Sequence, residues 1–515
     1  MPFLQRISDF LGGGPARLAD EARLAEGQRH FQAGRRNRLN KNWPTIQTSM
    51  RADVHAGLRN MRARMRFLAK NSDHFKKFLS MYRNNVAGPY GMKLQVTGGT
   101  DAQNQEIESR FKAWSHREFA SASGRLSFTQ VLRRAATGAA RDGEVLVREI
   151  YGKNNFGYSL KFYDVAWLDE TYNETLPGGN RVIMSVEIDA DDRPVAYYLT
   201  PPATDLAVFR NRERKRTRVP AAEIHHLFLP DDECSTDDTV TRGIPPGHTA
   251  SLTLFRLDLT DEAALVSMQA SASKMGFYTS KLETDEDAPE EGQEVDTQTN
   301  KAKPLMNHFQ AGVIEELPPG VDFKSFDPDS PNDKHEPFAK YMLRRAACGL
   351  EVFYNSLTGD LSDVNLSSIR AGLLEEREVW KALQEFFVEH FCRRIFINWL
   401  KEAVLNGQVN IHPRDLAKFS EPTFQPRRWP WTDPLKDIQT TRLAIEAGLA
   451  TITDSLADIG EDLTETFTKR RAELDLADKL KIPLAVGAGS LAPGTLDSQG
   501  EQQPEKSPSS SPKAA

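Results

Sequence analysis

The sequence predicts an α+β protein from three observations. Apolar residues at helical spacing run through the N-terminal third and again through much of the C-terminal half. Between residues 144 and 230 the pattern changes to short runs rich in β-branched and aromatic residues. Breakers separate the two styles, with Gly143 on one side and "RGIPPG" from Arg242 on the other. A chain of 515 residues exceeds one ordinary core, and about 150 residues per domain predicts three or four structural regions.

From Asp53 to Asn85, the residues Val54, Leu58, Met61, Met65, Leu68 and Phe75 recur at helical spacing with cations between them, which predicts one or two amphipathic helices. A further helix is expected from Asn104 to Trp114, and "LSFTQVLRRAATGAARDG" from Leu126 reads as another, stopped by Gly143. The runs "EVLVREIYG", "YSLKFYDVAWL", "RVIMSVEID", "PVAYYLT" and "EIHHLFLP" predict strands, with "DADDRP" as the hairpin turn between the third and fourth. Helical spacing resumes near Thr249, placing Leu252, Phe255, Leu259, Ala263 and Val266 on one side and continuing through "SMQASASKMGF".

Residues 283 to 303 are acidic and polar with almost nothing to bury, and read as a mobile loop. Two extended runs, "AGVIEEL" and "VDFKSF", flank the turn "PPG", and Pro337 is expected to open a helix ending near Gly349. The stretch from Glu351 to Leu366 reads as a loop long enough to imply a functional reason. Beyond it Ser367 or Ser368 can cap a helix whose core face carries Leu373, Trp380, Leu383, Phe387, Phe391 and Ile395 and whose stop is Asn406 with Gly407. Unbroken, that helix would span roughly 60 Å, so a kink is expected. Two more helical patterns lie between 434 and 480, and the Gly-, Ser-, Pro- and Gln-rich tail from Val486 reads as disordered.

A hydrophobic share of 39% with 27% charged residues describes a soluble globular chain. No apolar run approaches a membrane span and the start "MPFLQRISDFLGGG" is unlike a secretory signal, so a cytoplasmic protein without a membrane partner is expected. Cys234, Cys348 and Cys392 are widely spaced and odd in number, which suggests reduced, buried thiols rather than a zinc site or a disulfide framework. Net charge is only -6, yet between Gly34 and Asn84 thirteen cations, among them Arg38, Arg51, Arg59, Arg62, Arg64 and Arg66, face only Asp53 and Asp73. That block is either a phosphate-attracting stripe or a solvated helix face that can pair with a neighbouring subunit.

The sequence contains no GxxxxGK[ST], HExxH, GxSxG or GxGxxG, and no catalytic residue, metal site or cofactor is assigned. His225 and His226 are adjacent on an expected strand, so they point to opposite faces and cannot share a metal. Asp231, Asp232, Glu233, Asp237 and Asp238 resemble a hard-cation site in composition but lack the glycine and closing glutamate of a calcium loop. Trp429 and Trp431 are either an aromatic platform for bases or a packed turn.

"MLRRAACGLEVFYNSLTGDLSDVNLSSIRAGLLEEREVW", Met342 to Trp380, resembles the most recognisable segment of lambda-type bacteriophage portal proteins, in which a helix, "LTGD", "VN", two small polar residues and "RAGLLE" follow one another. "NNVAGPYGMKLQV", "RDGEVLVRE", "DRPVAYYL", "VPAAEIHHLF", "RGIPPG" and "ELPPGVDFKSFDPDSPNDKHEPF" agree in order, so the similarity covers roughly residues 35 to 410. The resemblance implies a ring, commonly of about twelve subunits, at one capsid vertex of a virion. Double-stranded DNA is packaged and ejected through it, and it is assembled in the host cytoplasm. The implied partners are further copies of the chain, double-stranded DNA, the terminase large subunit, the major capsid protein, and head-completion or adaptor proteins.

By the same resemblance the α+β subunit would divide into a flexible segment 1–34, a wing 35–246 with the β-rich domain, a stem helix 247–282 and a small α/β clip 283–336. A second stem helix 337–349, a tunnel loop 350–366, a long wing or crown helix 367–410, crown helices 411–485 and a tail 486–515 would follow. Asn355, Ser356, Thr358, Asp360, Asp363 and Asn365 become the DNA-facing loop residues. Arg59, Arg62, Arg66, Lys340 and Arg344 become candidates for DNA or intersubunit contacts, and Glu286, Asp287 and Glu290 for terminase contact. The physics fits, because no Lys or Arg occurs from Glu351 to Ile369 and a ring of acidic loops would repel phosphates and favour sliding. Two alternatives are a metal-dependent DNA-processing enzyme using the acidic cluster at 231–238, and a capsid component with no DNA role.

Overall fold

The computed structural model describes residues 38, 48–201, 215–229, 239–272, 276–280, 321–325, 332–362, 364–429, 434–458 and 463–481. In chain order it opens with helices α1 (Met50–Asn71) and α2 (Asp73–Val86), strand β1 (Lys93–Gln95), and helices α3 (Asp101–Trp114), α4 (Arg117–Ala120) and α5 (Phe128–Asp142). Strands β2 (Glu144–Tyr151), β3 (Tyr158–Tyr163), β4 (Glu174–Thr175), β5 (Arg181–Ile183), β6 (Val186–Ile188), β7 (Pro194–Leu199), β8 (Thr217–Pro220) and β9 (Ile224–Phe228) follow. Then come α6 (His248–Ala272), β10 (Gly276–Ser280), β11 (Val321–Ser325), α7 (Asn332–Gly349), the short α8 (Tyr354–Thr358) and α9 (Leu366–Phe387). A π-helical segment Val388–Arg393 leads into α10 (Arg394–Leu405), β12 (Thr423–Gln425), α11 (Pro434–Glu446), α12 (Ile452–Asp458) and α13 (Leu463–Leu480).

The chain forms two compact units, the first from Met1–Ser80, Ala135–Lys153 and Ser159–Asp360, the second from Met81–Arg134, Asn154–Tyr158 and Leu361–Ala515. The segment 35–246 therefore contributes to both.

In the first unit α1 is capped by Ser49, whose hydroxyl accepts from the Ala52 N–H at 3.3 Å, and it buries Val54, Leu58, Met65 and Leu68 as its spacing predicts. The β-rich block is an antiparallel meander, β4-β5-β6-β7-β8, beside a sheet of order β3-β2-β9 in which Glu144 pairs with Phe228 and Arg148 with Ile224. Leu146, Leu168, Val186, Ile188, Tyr197, Leu199 and Ile224 form its core. The run "RVIMSVEID" is not one strand. It folds back between β5 and β6 at Met184 and Ser185, with φ of 47° and 70°, the signature of a two-residue hairpin turn. Met184 is fully buried against Val54 and Leu58, and that burial offsets the strain of a left-handed non-glycine residue.

Two further expectations are corrected. The helix from Thr249 ends at Ala272, and the aromatic and β-branched Gly276–Ser280 instead pairs antiparallel with Val321–Ser325. "VDFKS" is extended as expected, while "AGVIEEL" lies outside the described residues. Pro337 does not open its helix but sits inside α7, which begins at Asn332, close enough to the start to cost about one backbone hydrogen bond.

In the second unit Phe111 is packed by Phe128, Phe396, Trp399 and Phe424 at centroid distances of 5.0–6.2 Å. The Trp114 indole N–H donates to the Tyr158 carbonyl at 2.9 Å. The long helix after the loop carries Trp380, Phe387, Phe391 and Ile395 on its buried side as expected. Its irregularity is the π segment at Val388–Arg393, which rotates the face that follows. Asn406 and Gly407 (φ 67°) end it.

Candidate nucleic-acid interface

α6 and α7 form an antiparallel pair, held at one end by the Thr249 hydroxyl donating to the Gly349 carbonyl at 2.7 Å and further along by His335 against Asp261 at 3.2 Å. Gly349 suits this close approach, since a Cβ would crowd Thr249 Oγ1 at 3.0 Å and the Ala250 nitrogen at 3.2 Å. The loop predicted after α7 is more ordered than its sequence suggests. Tyr354–Thr358 closes one helical turn, ended by Gly359 in the left-handed region at φ 75°, whose N–H donates to the Asn355 carbonyl at 2.8 Å.

Within that turn the predicted DNA-facing residues are largely committed to one another. The Asn355 amide donates to the Asp360 carbonyl, the Thr358 hydroxyl to the Tyr354 carbonyl at 2.9 Å, and the Tyr354 hydroxyl to the Asp360 carboxylate at 2.9 Å. Partial burial, then the Asp360 hydrogen bond and charge, push the Tyr354 phenol up. Ser356 is half-buried, and Asp363 lies outside the described residues. Asn365 proves to be the cap of α9, its side-chain oxygen accepting from the Ser368 N–H at 2.8 Å, in place of the serines expected there.

The loop is free of cations in sequence but not in space. Lys340 on α7 stands 3.7 Å from Asp360 and 3.2 Å from Glu336. The exposed Arg344 guanidinium lies 5.4 Å from the centre of the Tyr354 ring. Asp360 thus presents a compensated charge to solvent.

The basic block divides in two. Arg59, Arg64, Lys70, Lys76 and Lys77 are exposed. Arg62 is buried, 4% exposed, and pairs with Glu144 at 3.2 Å and with Glu170. Arg66 is committed too, donating to both oxygens of Asp142 at 2.8 and 3.0 Å and to Asp164 at 2.6 Å. Burial works against its charge, but these hydrogen bonds outweigh it and the Arg66 pKa is raised. Carboxylates within the fold, invisible as neighbours in sequence, take up both charges.

Sequence reasoning missed the centre of this network. Arg242, with no exposed surface, forms a two-pronged pair with Glu144 at 2.6 and 2.8 Å and donates to the carbonyls of Met184 and Leu168. His226 contacts the same Glu144 at 2.9 Å, whereas His225 faces Glu149. Burial opposes ionisation of Glu144, yet Arg242 and His226 hold its pKa far below the carboxylate range. The available signal was an arginine inside a Gly/Pro-rich breaker and a glutamate opening a β run, each unusual for a residue that must be covered.

Trp429 packs as a turn residue, its indole N–H donating to Asn85 at 3.2 Å with Arg377 and Arg427 near its ring. Trp431, the acidic cluster at 231–238, Cys234, and Glu286, Asp287 and Glu290 lie outside the described residues. Cys392 is buried, and burial pushes its thiol up, whereas Cys348 is exposed, contrary to expectation. Among the described residues no group of three His, Cys, Asp or Glu side chains could hold a metal ion, and no helix is long and apolar enough to cross a membrane.

Residues 36–384 match the family model described as phage portal protein, lambda family. A probable portal protein of Halomonas phage phiHAP-1 is 30% identical over 498 residues, covering 93% of this chain and 93% of the relative. Portal protein B of Escherichia phage lambda is 20% identical over 475 residues, covering 84% of this chain and 86% of the relative. A solved chain from the neck of a native GTA particle with C12 symmetry aligns over 79% of this chain and 94% of its own, with a TM-score of 0.42 and 14% identity. With the family model matched over residues 36–384 and a relative shared along nearly its whole length, this chain belongs to the lambda family of phage portal proteins, the head–tail connectors of the capsid vertex.

Proposed function

We propose that copies of this chain close into a ring of about twelve, whose axis conducts double-stranded DNA during packaging and ejection. The observation that supports self-assembly is helix α6, which is apolar on two opposite sides. Ala250, Leu254, Leu257 and Ala264 are buried within the subunit. At 100° per residue Leu252, Phe255, Leu259 and Val266 fall on the other side, and they are 53%, 39%, 49% and 58% exposed. These are the residues whose spacing placed them on one side of the helix; the subunit covers the opposite side. Phe67, 51% exposed, extends the stripe by packing edge-on against Phe255 at 6.2 Å. A contiguous apolar surface of this kind calls for a protein partner, and a second copy is the partner a ring supplies.

Light scattering followed by negative-stain imaging tests the reading. The wild-type chain is expected to form closed rings with a central hole. Leu259→Asp combined with Val266→Asp should leave folded subunits, with unchanged far-UV circular dichroism, that no longer assemble. A wild-type chain that stays monomeric across salt conditions would overturn the ring. In that ring the Tyr354–Asp360 turn is proposed to face DNA, with Arg59, Lys340 and Arg344 as candidates for DNA or intersubunit contact.

Terminase docking is proposed on the acidic stretch holding Glu286, Asp287 and Glu290, which offers dense charge to a basic partner. Deleting residues 284–300 should weaken capture of the terminase large subunit by intact rings; undiminished capture refutes that assignment.

A further inference from the structure

The second unit carries a cleft of about 960 Å³ that the channel reading does not use. One wall is the segment from Pro89 to Leu94, the other the face of α3 that carries Glu108 and Lys112, and residues 425–428 close one end. The first wall is rigidly placed. Arg133 donates to the Gly88 carbonyl at 2.6 Å and to Asn84 at 3.0 Å, and the Thr129 hydroxyl donates to the Tyr90 carbonyl at 3.3 Å. Gly91, at φ 81°, admits no side chain, because a Cβ would lie 2.7 Å from Thr129 Oγ1. A preformed site of this size is in the range of ligand pockets.

Three features define what fits. Among the described residues that line the cleft, Lys93, Lys112, Arg427 and Arg428 stand beside one carboxylate, Glu108, whose oxygen already accepts the Val96 N–H at 2.8 Å, and Arg427 donates to the Asn84 carbonyl and the Asn85 side chain at 3.0 and 2.9 Å. In a chain of net charge -6 that local excess of cations favours an anionic occupant. Phe111 and Phe128, both nearly buried, supply an apolar floor, and Tyr90 stands at the rim 93% exposed. Gln425 Oε1 and Arg428 Nε, an acceptor and a donor on two lining residues, are buried and make no hydrogen bond. Such groups are costly unless satisfied, and a peptide backbone brings both an N–H and a C=O. A bare inorganic anion would leave the floor and the Gln425 acceptor unused.

We propose that this cleft binds an extended acidic peptide segment of a partner protein, anchored by an aromatic or aliphatic side chain on the Phe111–Phe128 floor. The proposal is independent of ring formation, since every wall belongs to one unit of one subunit.

The test uses the full-length chain and a fluorescein-labelled peptide of alternating Asp and Glu interrupted by one Phe and one Leu, read by fluorescence anisotropy. Saturable binding is expected. Lys93→Glu with Lys112→Glu, both on exposed side chains, should weaken it by about tenfold or more, whereas Lys93→Arg with Lys112→Arg should preserve it. Replacing the Phe and Leu of the peptide by Ser should also weaken it. No binding, equal binding of the lysine counterpart of the peptide, or a charge-reversed variant that binds like wild type would each overturn the proposal. So would an oligothymidylate that binds more tightly than the peptide and is lost in the same variant, which would reassign the cleft to single-stranded nucleic acid.

Discussion

Arg242→Ala is expected to lower the unfolding free energy of the first unit by about 3–5 kcal/mol, because it leaves a buried carboxylate without its main partner. Glu144 has no exposed side-chain surface and takes both prongs of the guanidinium. Without Arg242 it would retain Arg62 at 3.2 Å, His226 at 2.9 Å and a long hydrogen bond from the Gly243 N–H at 3.4 Å. The backbone carbonyls of Leu168 and Met184 would lose a donor at the same time. Replacing both partners, Glu144→Met with Arg242→Leu, should cost less than the sum of the single changes, since apolar side chains remove the desolvation penalty together with the attraction. Urea denaturation followed by tryptophan fluorescence would measure this; single variants within about 1 kcal/mol of wild type would show that the network is dispensable.

The same pair sets an acid response. Glu144 is held below the pKa it has in the unfolded chain, about 4.3, so the unfolded state takes up the proton first. Its contribution is therefore complete above that value and is lost as pH falls through the lower folded value. The wild type should hold this stability at neutral pH and shed it only below about pH 4, and Glu144→Gln should flatten that decline.

Reversing the loop charge, Asp360→Lys with Asp363→Lys, is expected to slow or stall DNA packaging while rings still form. In the first unit Asp360 ties the turn together, accepting from the Tyr354 hydroxyl and facing Lys340 at 3.7 Å. A lysine there would lose both contacts, set two ammonium groups against each other and present uncompensated positive charge to passing phosphates. Each step of translocation would then have to break added contacts whose strength rises as salt falls. Asp360→Asn keeps an acceptor for Tyr354 and removes only the charge, so its effect should be smaller. Packaging yield in a complementation assay, scored beside ring integrity, is the measurement, and unchanged packaging by the double lysine variant would sink the assignment of this turn to the channel.

Local patterns carried far where the physics is local. The spacing of Val54, Leu58, Met65 and Leu68 announces the buried face of α1, and Asn406 with Gly407 announces the end of the long helix, because side-chain periodicity and φ preference act over a few residues. The runs from Glu144 onward become strands for the same reason. Burial and charge pairing are not local in that sense. Leu252, Phe255, Leu259 and Val266 share one side of a helix by their spacing and stay exposed on the subunit surface, since periodicity shows that a face is apolar and not what covers it. Arg62 and Arg66 look like a basic surface in sequence, and the carboxylates that take them are about eighty residues or more away.

The sequence by itself determined the class of elements, their order and, through the segment from Met342 to Trp380, membership of the portal family. Only the tertiary structure decided which charges are spent inside the subunit and which remain for a partner. It placed Lys340 beside a loop whose sequence has no cation, drew Arg242 and Glu144 together from ninety-eight residues apart, and gathered Lys93, Lys112, Arg427 and Arg428 around one cleft. The reason is that helix and strand formation depend on neighbours in the chain, whereas the environment of a charge depends on neighbours in space, which the fold alone supplies.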